Sequence, residues 1–141
     1  MEDTKFKTVL FIQLGAAILL FGVIVFWRGE WNAMRWIGLC IGLPALVCLF
    51  VARLQLGKSF AVTPQARALV THGLYSKIRN PMYVFSGLLI LGFALAIQIP
   101  YVLLILAILL PLQIVRAHQE AKVLEAKFGE EYRAYRKGTW F

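Results

Sequence analysis

A chain of 141 residues is long enough for one domain, and 60% hydrophobic against 16% charged residues is too apolar for an ordinary soluble domain of that size. The formal net charge of +8 sits between long uncharged runs, which suits anionic lipid headgroups and argues against nucleic acid. Cys40 and Cys48 lie inside an apolar run as small hydrophobic filler, and no Cys/His cluster has metal-ligand spacing.

The first uncharged run goes from Thr8 to Trp27, with Gln13 its only strongly polar side chain. As a helix it is long enough to cross a hydrocarbon layer of about 30 Å. The opening Met-Glu-Asp-Thr-Lys is not a strongly basic leader, and no Ala-x-Ala-like site follows the run, so a retained span is expected. A polar link, Arg28 to Asn32, comes next. Trp27, Trp31 and Trp36 cluster around it and mark a membrane interface, because indole rings favour the headgroup level. The second run covers 36–52, and Pro44 inside it predicts a kink.

Residues 53–79 read as a loop holding Arg53, Lys58, Arg67, Lys77 and Arg79 and no acid. The uncharged stretch from Asn80 to Val115 would reach roughly 50 Å as one helix, too long for a single crossing. Pro100 beside Gln98 divides it, which predicts a tight helical hairpin with arms of about 82–98 and 101–116. In the tail, 117–141, Leu124, Phe128, Tyr132 and Tyr135 recur at helical spacing opposite Lys and Glu. That pattern predicts an amphipathic helix, lying at the interface or packed on the polar loop, with Gly129 as an interruption.

The expected fold is therefore all-α: one integral membrane domain of four transmembrane helices, at about 8–27, 36–52, 82–98 and 101–116. Such a multi-pass chain puts both termini, the loop and the tail on one side. Lys5, Lys7, five loop cations and six from Arg116 onward lie there, against Arg28 and Arg35 on the other. The positive-inside rule makes that side cytosolic.

Two segments on that side are dense in chemistry. The first runs from Val70 to Tyr83, and in it Pro81 suits the first turn of a helix and Asn80 its N-cap. Arg79 reads equally as a lipid-headgroup anchor. In the second, Gln113, Arg116 and Glu120 are three and four residues apart and so share one helix face. Arg116 and Glu120 suit a simple helix-end ion pair. Gln113, however, lies inside the span, where a polar group faces a cavity or another helix. The stripe reads as the wall of a pocket open to the cytosol above and to lipid at the side.

These segments resemble the isoprenylcysteine carboxyl methyltransferase and phospholipid methyltransferase superfamily of small membrane enzymes. Gly73-Leu74-Tyr75 matches its Gly-x-Tyr element, and Arg79-Asn80-Pro81-Met82-Tyr83 its Arg-His/Asn-Pro-x-Tyr element. Glu120, Leu124, Phe128-Gly129, Tyr132 and Tyr135 follow its tail pattern in order and spacing. Leu56 to Phe60 and Leu69 to Thr71 look like the isoprenylcysteine branch. Ala121 departs from the family's usual second Glu, Asn80 from its commoner His, and the Trp140-Phe141 end from its Val-Pro-Arg.

The resemblance implies S-adenosylmethionine as methyl donor and a lipophilic or lipid acceptor, most like an isoprenylcysteine carboxylate. It implies a cofactor pocket formed by the cytosolic loop and the C-terminal helix, from His72, Gly73, Tyr75, Asn80, Pro81, Tyr83 and Glu120, with Arg79, Arg116 and Glu120 as catalytic residues. Membrane lipids are the expected surroundings. No metal, nucleic acid or obligate protein partner is implied. Two other readings stand beside it: a small four-helix multidrug-type transporter, which needs an ionisable group within a span, and a non-catalytic lipid-binding membrane module.

Overall fold

The computed structural model describes residues 2–57 and 68–141, with side chains from residue 7 onward. The fold is all-α. Among the described residues five helices follow in order: α1 (Glu2–Phe26), α2 (Ala33–Leu56), α3 (Pro81–Ile97), α4 (Leu103–Phe128) and α5 (Glu130–Lys137). Single 3-10 turns precede α3 and α4, at Gly73–Ser76 and Pro100–Val102. Three segments, Lys7–Phe26, Ala33–Leu56 and Pro100–Phe128, are long and apolar enough to cross a membrane. Helix α3 is apolar and shorter, at 17 residues. Large side chains such as Phe11, Ile12, Ile18 and Leu19 on α1, and Leu104, Ile108 and Leu112 on α4, point outward. In water that surface would be costly; against lipid chains it is the expected exterior.

The tightest seam is between α2 and α3. A Cβ at Gly38 would collide with the Ala96 amide nitrogen, and one at Gly92 would come within 2.7 Å of Gly38 O. Gly38 and Gly42 are one turn apart on α2, as are Gly92 and Ala96 on α3, so two ridges of small residues bring the backbones together. In lipid there is little hydrophobic gain between helices, and this close van der Waals contact supplies the association instead. Helix α1 packs more loosely, chiefly through Ile24 against Leu39, Ala96 and Ile97. An apolar crevice remains between α1, α2 and α3, lined by residues such as Phe21, Leu43 and Leu89, and it holds no polar chemistry.

One end of the bundle is closed by polar groups turned inward. Arg35 is wholly buried. Its Nε donates to Ala96 O at 3.1 Å and its Nη2 to Trp27 O at 3.4 Å, while the Trp31 ring centroid lies 4.9 Å from its guanidinium carbon. A cation there faces the carboxyl end of α3, where the helix dipole and unpaired carbonyls are negative. Gln98 ends α3 in the left-handed conformation, φ 59°, and its Nε2 donates to Glu30 O at 2.9 Å. The hairpin predicted at Gln98–Pro100 is thus present, and this end fastens the Arg28–Asn32 link to the α3–α4 turn.

Two boundaries differ from the sequence reading. Helix α2 runs through Leu56, so Arg53 is not in a loop but buried in the last turn of that helix. In the sequence a charge suggests the end of the span, yet a cation in a last turn is stabilised by the helix dipole. Helix α4 continues unbroken past Arg116 to Phe128, joining the span and the first half of the tail, with Pro111 inside it. Gly129, at φ 52°, separates α4 from α5 as expected. Lys58 and Arg67, together with the Lys58–Phe60 part of the branch resemblance, lie outside the described residues.

Candidate active site

At the other end, α2, α3, α4 and α5 converge on the short loop before α3. Gly73 sits at φ 61°, a conformation that side chains rarely adopt. A Cβ there would also collide with the Gln55 side-chain amide. Gln55 needs that room because its Oε1 accepts from Leu74 N at 2.8 Å, satisfying a backbone donor where the chain turns. Gly73 therefore gives the Gln55 side chain its room. The turn that follows buries Tyr75, whose carbonyl accepts from the Tyr135 hydroxyl at 2.6 Å. Tyr132 is buried beside it, its ring 6.2 Å from that of Tyr135. Of the two placements open for the amphipathic tail, α5 takes the one packed on the loop.

The chain then doubles onto its own tail. Ile78 and Trp140 form a parallel bridge. Trp140 N donates to Lys77 O at 2.7 Å, Arg79 N to Trp140 O at 2.9 Å and Asn80 N to Phe141 O at 2.9 Å. Asn80 also sends its Nδ2 to Phe141 O at 3.0 Å. Asn80 occupies the N-cap position of α3 but makes no side-chain cap bond, its ψ of 58° lying far from the extended value that aims a cap at the helix. Its amide is engaged by the tail instead. Pro81, fully buried, opens α3 as expected.

The predicted stripe on α4 meets α3 face to face. Tyr83 Oη donates to Glu120 Oε1 at 2.6 Å, and Arg116 Nε approaches the same oxygen at 3.4 Å. Below them Gln113 Nε2 donates to Ser86 Oγ at 2.8 Å, and Ser86 Oγ donates to Tyr83 O at 3.0 Å. The short Tyr83 contact has the length of a charge-assisted bond, whereas the Arg116 contact is long for one. With side chains 38% and 28% exposed, the Arg116–Glu120 pair is worth about 0–1 kcal/mol as an ion pair. Stability is therefore a weak reason for a carboxylate and a guanidinium here. Both contacts fall on Oε1, and Oε2 of Glu120 accepts no hydrogen bond from the described residues.

Electrostatics single out the tyrosines. Burial pushes the Tyr75 hydroxyl well above the usual phenol range, the Tyr135 hydroxyl and the Glu120 carboxylate add to that, and the Arg53 guanidinium opposes it. Burial first and Tyr132 second push Tyr135 up to about 12, with Arg79 opposing. At neutral pH both are hydroxyls able to donate or accept a hydrogen bond, and neither is a base. Arg79 Nε is buried with no hydrogen-bond partner among the described residues.

Of the expected site residues, then, Tyr75, Tyr83, Arg116 and Glu120 form one cluster. Arg79, Asn80 and Pro81 sit together on the adjoining segment. His72 stands apart: it is exposed at the start of the turn, where its carbonyl accepts from Tyr75 N at 3.2 Å. Gln55 and Ser86 were not foreseen. Nothing local to Gln55 announces its partner 19 residues on, whereas a lone Ser on an apolar helix opposite Gln113 was a usable sign. Among the described residues no group of His, Cys, Asp and Glu could hold a metal ion.

This is an all-helical membrane bundle with a polar site at one end, where a loop, a span and a tail meet. The family model described as phospholipid methyltransferase matches residues 32–131, and the chain belongs to that family. The match covers every expected site residue. Membership bears out the resemblance to the membrane methyltransferase superfamily and makes membrane-bound methyl transfer the activity of the class. Comparison with curated proteins gives no match.

Proposed function

We propose that the chain transfers a methyl group from S-adenosylmethionine to a lipophilic acceptor resident in the membrane. The observation that carries this reading is one polar line that starts at Glu120, Arg116 and Tyr83 and descends between α3 and α4 to Ser86 and Gln113. A polar cofactor and a lipid-dissolved acceptor need a site that touches both phases. We place the site end in the cytosol, because Lys77, Arg79 and the tail cations lie there and Arg28 and Arg35 lie at the other end.

The residues present fit such a cofactor. Its amino-acid moiety has an ammonium and a carboxylate; Glu120 Oε2 suits the first, and Arg79 Nε, buried and without a hydrogen-bond partner among the described residues, suits the second. When bound, S-adenosylmethionine supplies an electrophilic methyl group. The protein's part is to hold the reactants in line and exclude water, and such positioning lowers the barrier by about 7–11 kcal/mol in favourable cases. Glu120 and Arg79 hold the cofactor, with Tyr83 fixing the Glu120 carboxylate. Tyr75, Asn80 and Pro81 hold the shape of the loop, as does Gly73 through Gln55. Arg116 orients the acceptor. A carboxylate acceptor is ionised and needs only orientation; an amine must lose a proton, for which Glu120 or the exposed His72 is the base. Family membership favours this reading over the transporter and the non-catalytic module.

The test is calorimetry of S-adenosylmethionine and S-adenosylhomocysteine with the protein in nanodiscs, then methyl-labelled transfer to a farnesylated cysteine and to phosphatidylethanolamine in parallel. Label released by mild alkali marks a methyl ester; stable label marks methylation at nitrogen. Folded protein that binds neither cofactor form at millimolar concentration would overturn the reading.

A further inference from the structure

The end of α5 and the segment after it carry more exposed chemistry than the site requires. The acids of α5, Glu130 and Glu131, are in its first turn, while Arg136 and Lys137 are in its last. Arg133 is tied to Glu125 and Glu130, so the acidic end is partly neutralised within the protein. Arg136, Lys137 and, on the facing loop, Lys77 are exposed. Beside them Trp140 is 64% exposed, its ring 6.0 Å from that of Phe141. The backbone of these aromatics is bonded to residues 77–80, immediately before Pro81 opens the apolar helix α3. The patch therefore lies at the level where the chain enters the apolar layer. An exposed indole among cations at that depth matches the headgroup zone of a bilayer, where Trp partitions and Lys and Arg meet anionic lipid.

We propose that Lys77, Arg136, Lys137 and Trp140 form a docking surface for anionic lipid headgroups, and that headgroup binding braces the Arg79-Asn80-Pro81 segment of the candidate site. The link is mechanical. Trp140 and Phe141 take the amide donors of Arg79 and Asn80, and Phe141 also holds the Asn80 side chain. Pinning the tail to the membrane surface holds those bonds closed, and a tail released from the surface lets them open. The lipid surface stands on the membrane setting alone; the effect on cofactor rests on the methyltransferase reading.

The experiment uses the full chain in nanodiscs of pure phosphatidylcholine and of phosphatidylcholine with about one-third phosphatidylglycerol, a leaflet of clear negative potential. Hydrogen exchange is followed in peptides covering 76–81 and 138–141. Exchange should be slower in the anionic discs by roughly fivefold or more, the scale of one cation held at an anionic surface, and added salt should shrink the difference. Lys77→Gln/Arg136→Gln/Lys137→Gln, folded by circular dichroism, should exchange alike in both discs, and Trp140→Ala should narrow the gap. Equal exchange of the wild-type chain in the two discs would overturn the proposal. So would inorganic phosphate reproducing the slowing in phosphatidylcholine discs, because a soluble anion would then be the ligand. S-adenosylhomocysteine should bind more tightly in the anionic discs. Binding that ignores the lipid would overturn the bracing step and leave the methyltransferase reading intact. No binding in either disc, with the exchange difference present, would overturn that reading and support the lipid surface.

Discussion

The two ends of the helix bundle use similar polar residues to opposite effect. At the Arg35 end a guanidinium is enclosed, with two of its nitrogens on backbone carbonyls and its face on Trp31, and Gln98 and Asn32 pair amide to amide across the turn. At the Glu120 end a carboxylate and a guanidinium are only partly covered, and Glu120 Oε2 accepts no hydrogen bond from the described residues; a buried guanidinium nitrogen without a partner among those residues occurs at both ends, Arg79 Nε here and Arg35 Nη1 there. The Arg35 end joins α2 to α3 and the Glu120 end joins α3 to α4, so each closes one pair of neighbouring helices. The difference teaches where ligand chemistry belongs. Polar groups engaged with backbone hold helices together, whereas charges left half-satisfied next to buried tyrosines await something that is not protein.

Glu120→Gln should give the largest effect and test that contrast directly. Amide for carboxylate preserves shape and keeps an acceptor for Tyr83 but removes the charge offered at Oε2. Methyl transfer should fall at least about 100-fold, the loss expected when a partly desolvated charge contact is removed, with melting temperature nearly unchanged. Arg116→Ala is the control: it breaks the same weak pair and should impair acceptor use more than cofactor affinity. Near-normal turnover and cofactor affinity in Glu120→Gln would make the cluster a helix clamp and erase the contrast between the ends.

Arg35→Met should do the reverse. It fills similar volume but strips Ala96 O and Trp27 O of their donor, and unpaired buried carbonyls cost about 1–3 kcal/mol. Stability, measured by unfolding in mixed micelles, should fall by about that amount. Cofactor affinity per folded molecule should stay within about twofold, because sites this far apart with no shared partners behave independently. A tenfold loss of affinity at unchanged stability would mean that the two ends communicate.

Tyr83→Phe is subtler. It leaves the ring against α4 and deletes one hydroxyl from Glu120. A hydrogen bond to a charged group contributes about 1.5–3 kcal/mol, and part of that is recovered when water or Arg116 turns toward the carboxylate. Cofactor affinity should drop about tenfold, read by calorimetry, with a smaller change in stability. An unchanged affinity would show that Glu120 is oriented by Arg116 alone.

What could be read in the sequence follows from the range of each contact. The hairpin was legible because length and Pro100 forbid one straight helix, and the Gln113–Arg116–Glu120 face because helical spacing is local. Tyr83 and Tyr75 were placed by motif, and the structure brings both to Glu120. The pairing of Trp140 with Lys77 and Arg79, and of Tyr135 with Tyr75, was beyond reach: each joins residues about 60 positions apart, and no local pattern encodes such a partner. Asn80 misled because a residue favoured at N-caps, standing just before proline, has a strong local preference that the tail contact overrides. The small residues at 38, 42, 92 and 96, spaced one helical turn apart, are a helix-packing signal of the same local kind.

The smallest effect concerns the tail, which reaches the site only through its bonds to the loop. Tyr135 donates to Tyr75 O and is pushed up to about 12 by burial, then Tyr132, with Arg79 opposing. Its value in the unfolded chain is about 10. A raised value means that folding favours the protonated phenol. The stabilisation from this group is therefore fully present below about pH 10 and is lost as pH rises through about 12. Chemically, a phenolate cannot donate to Tyr75 O and would repel it. The difference in tyrosinate absorbance between wild type and Tyr135→Phe isolates this one phenol. In detergent, with the helical signal intact, it should be silent at pH 10 and emerge only above about pH 11; in denaturant it should appear near pH 10. Ionisation of Tyr135 at pH 10 in the folded protein would mean that α5 does not stay packed on the loop, and the site end would then be more open than the Arg35 end by motion as well as by exposed charge.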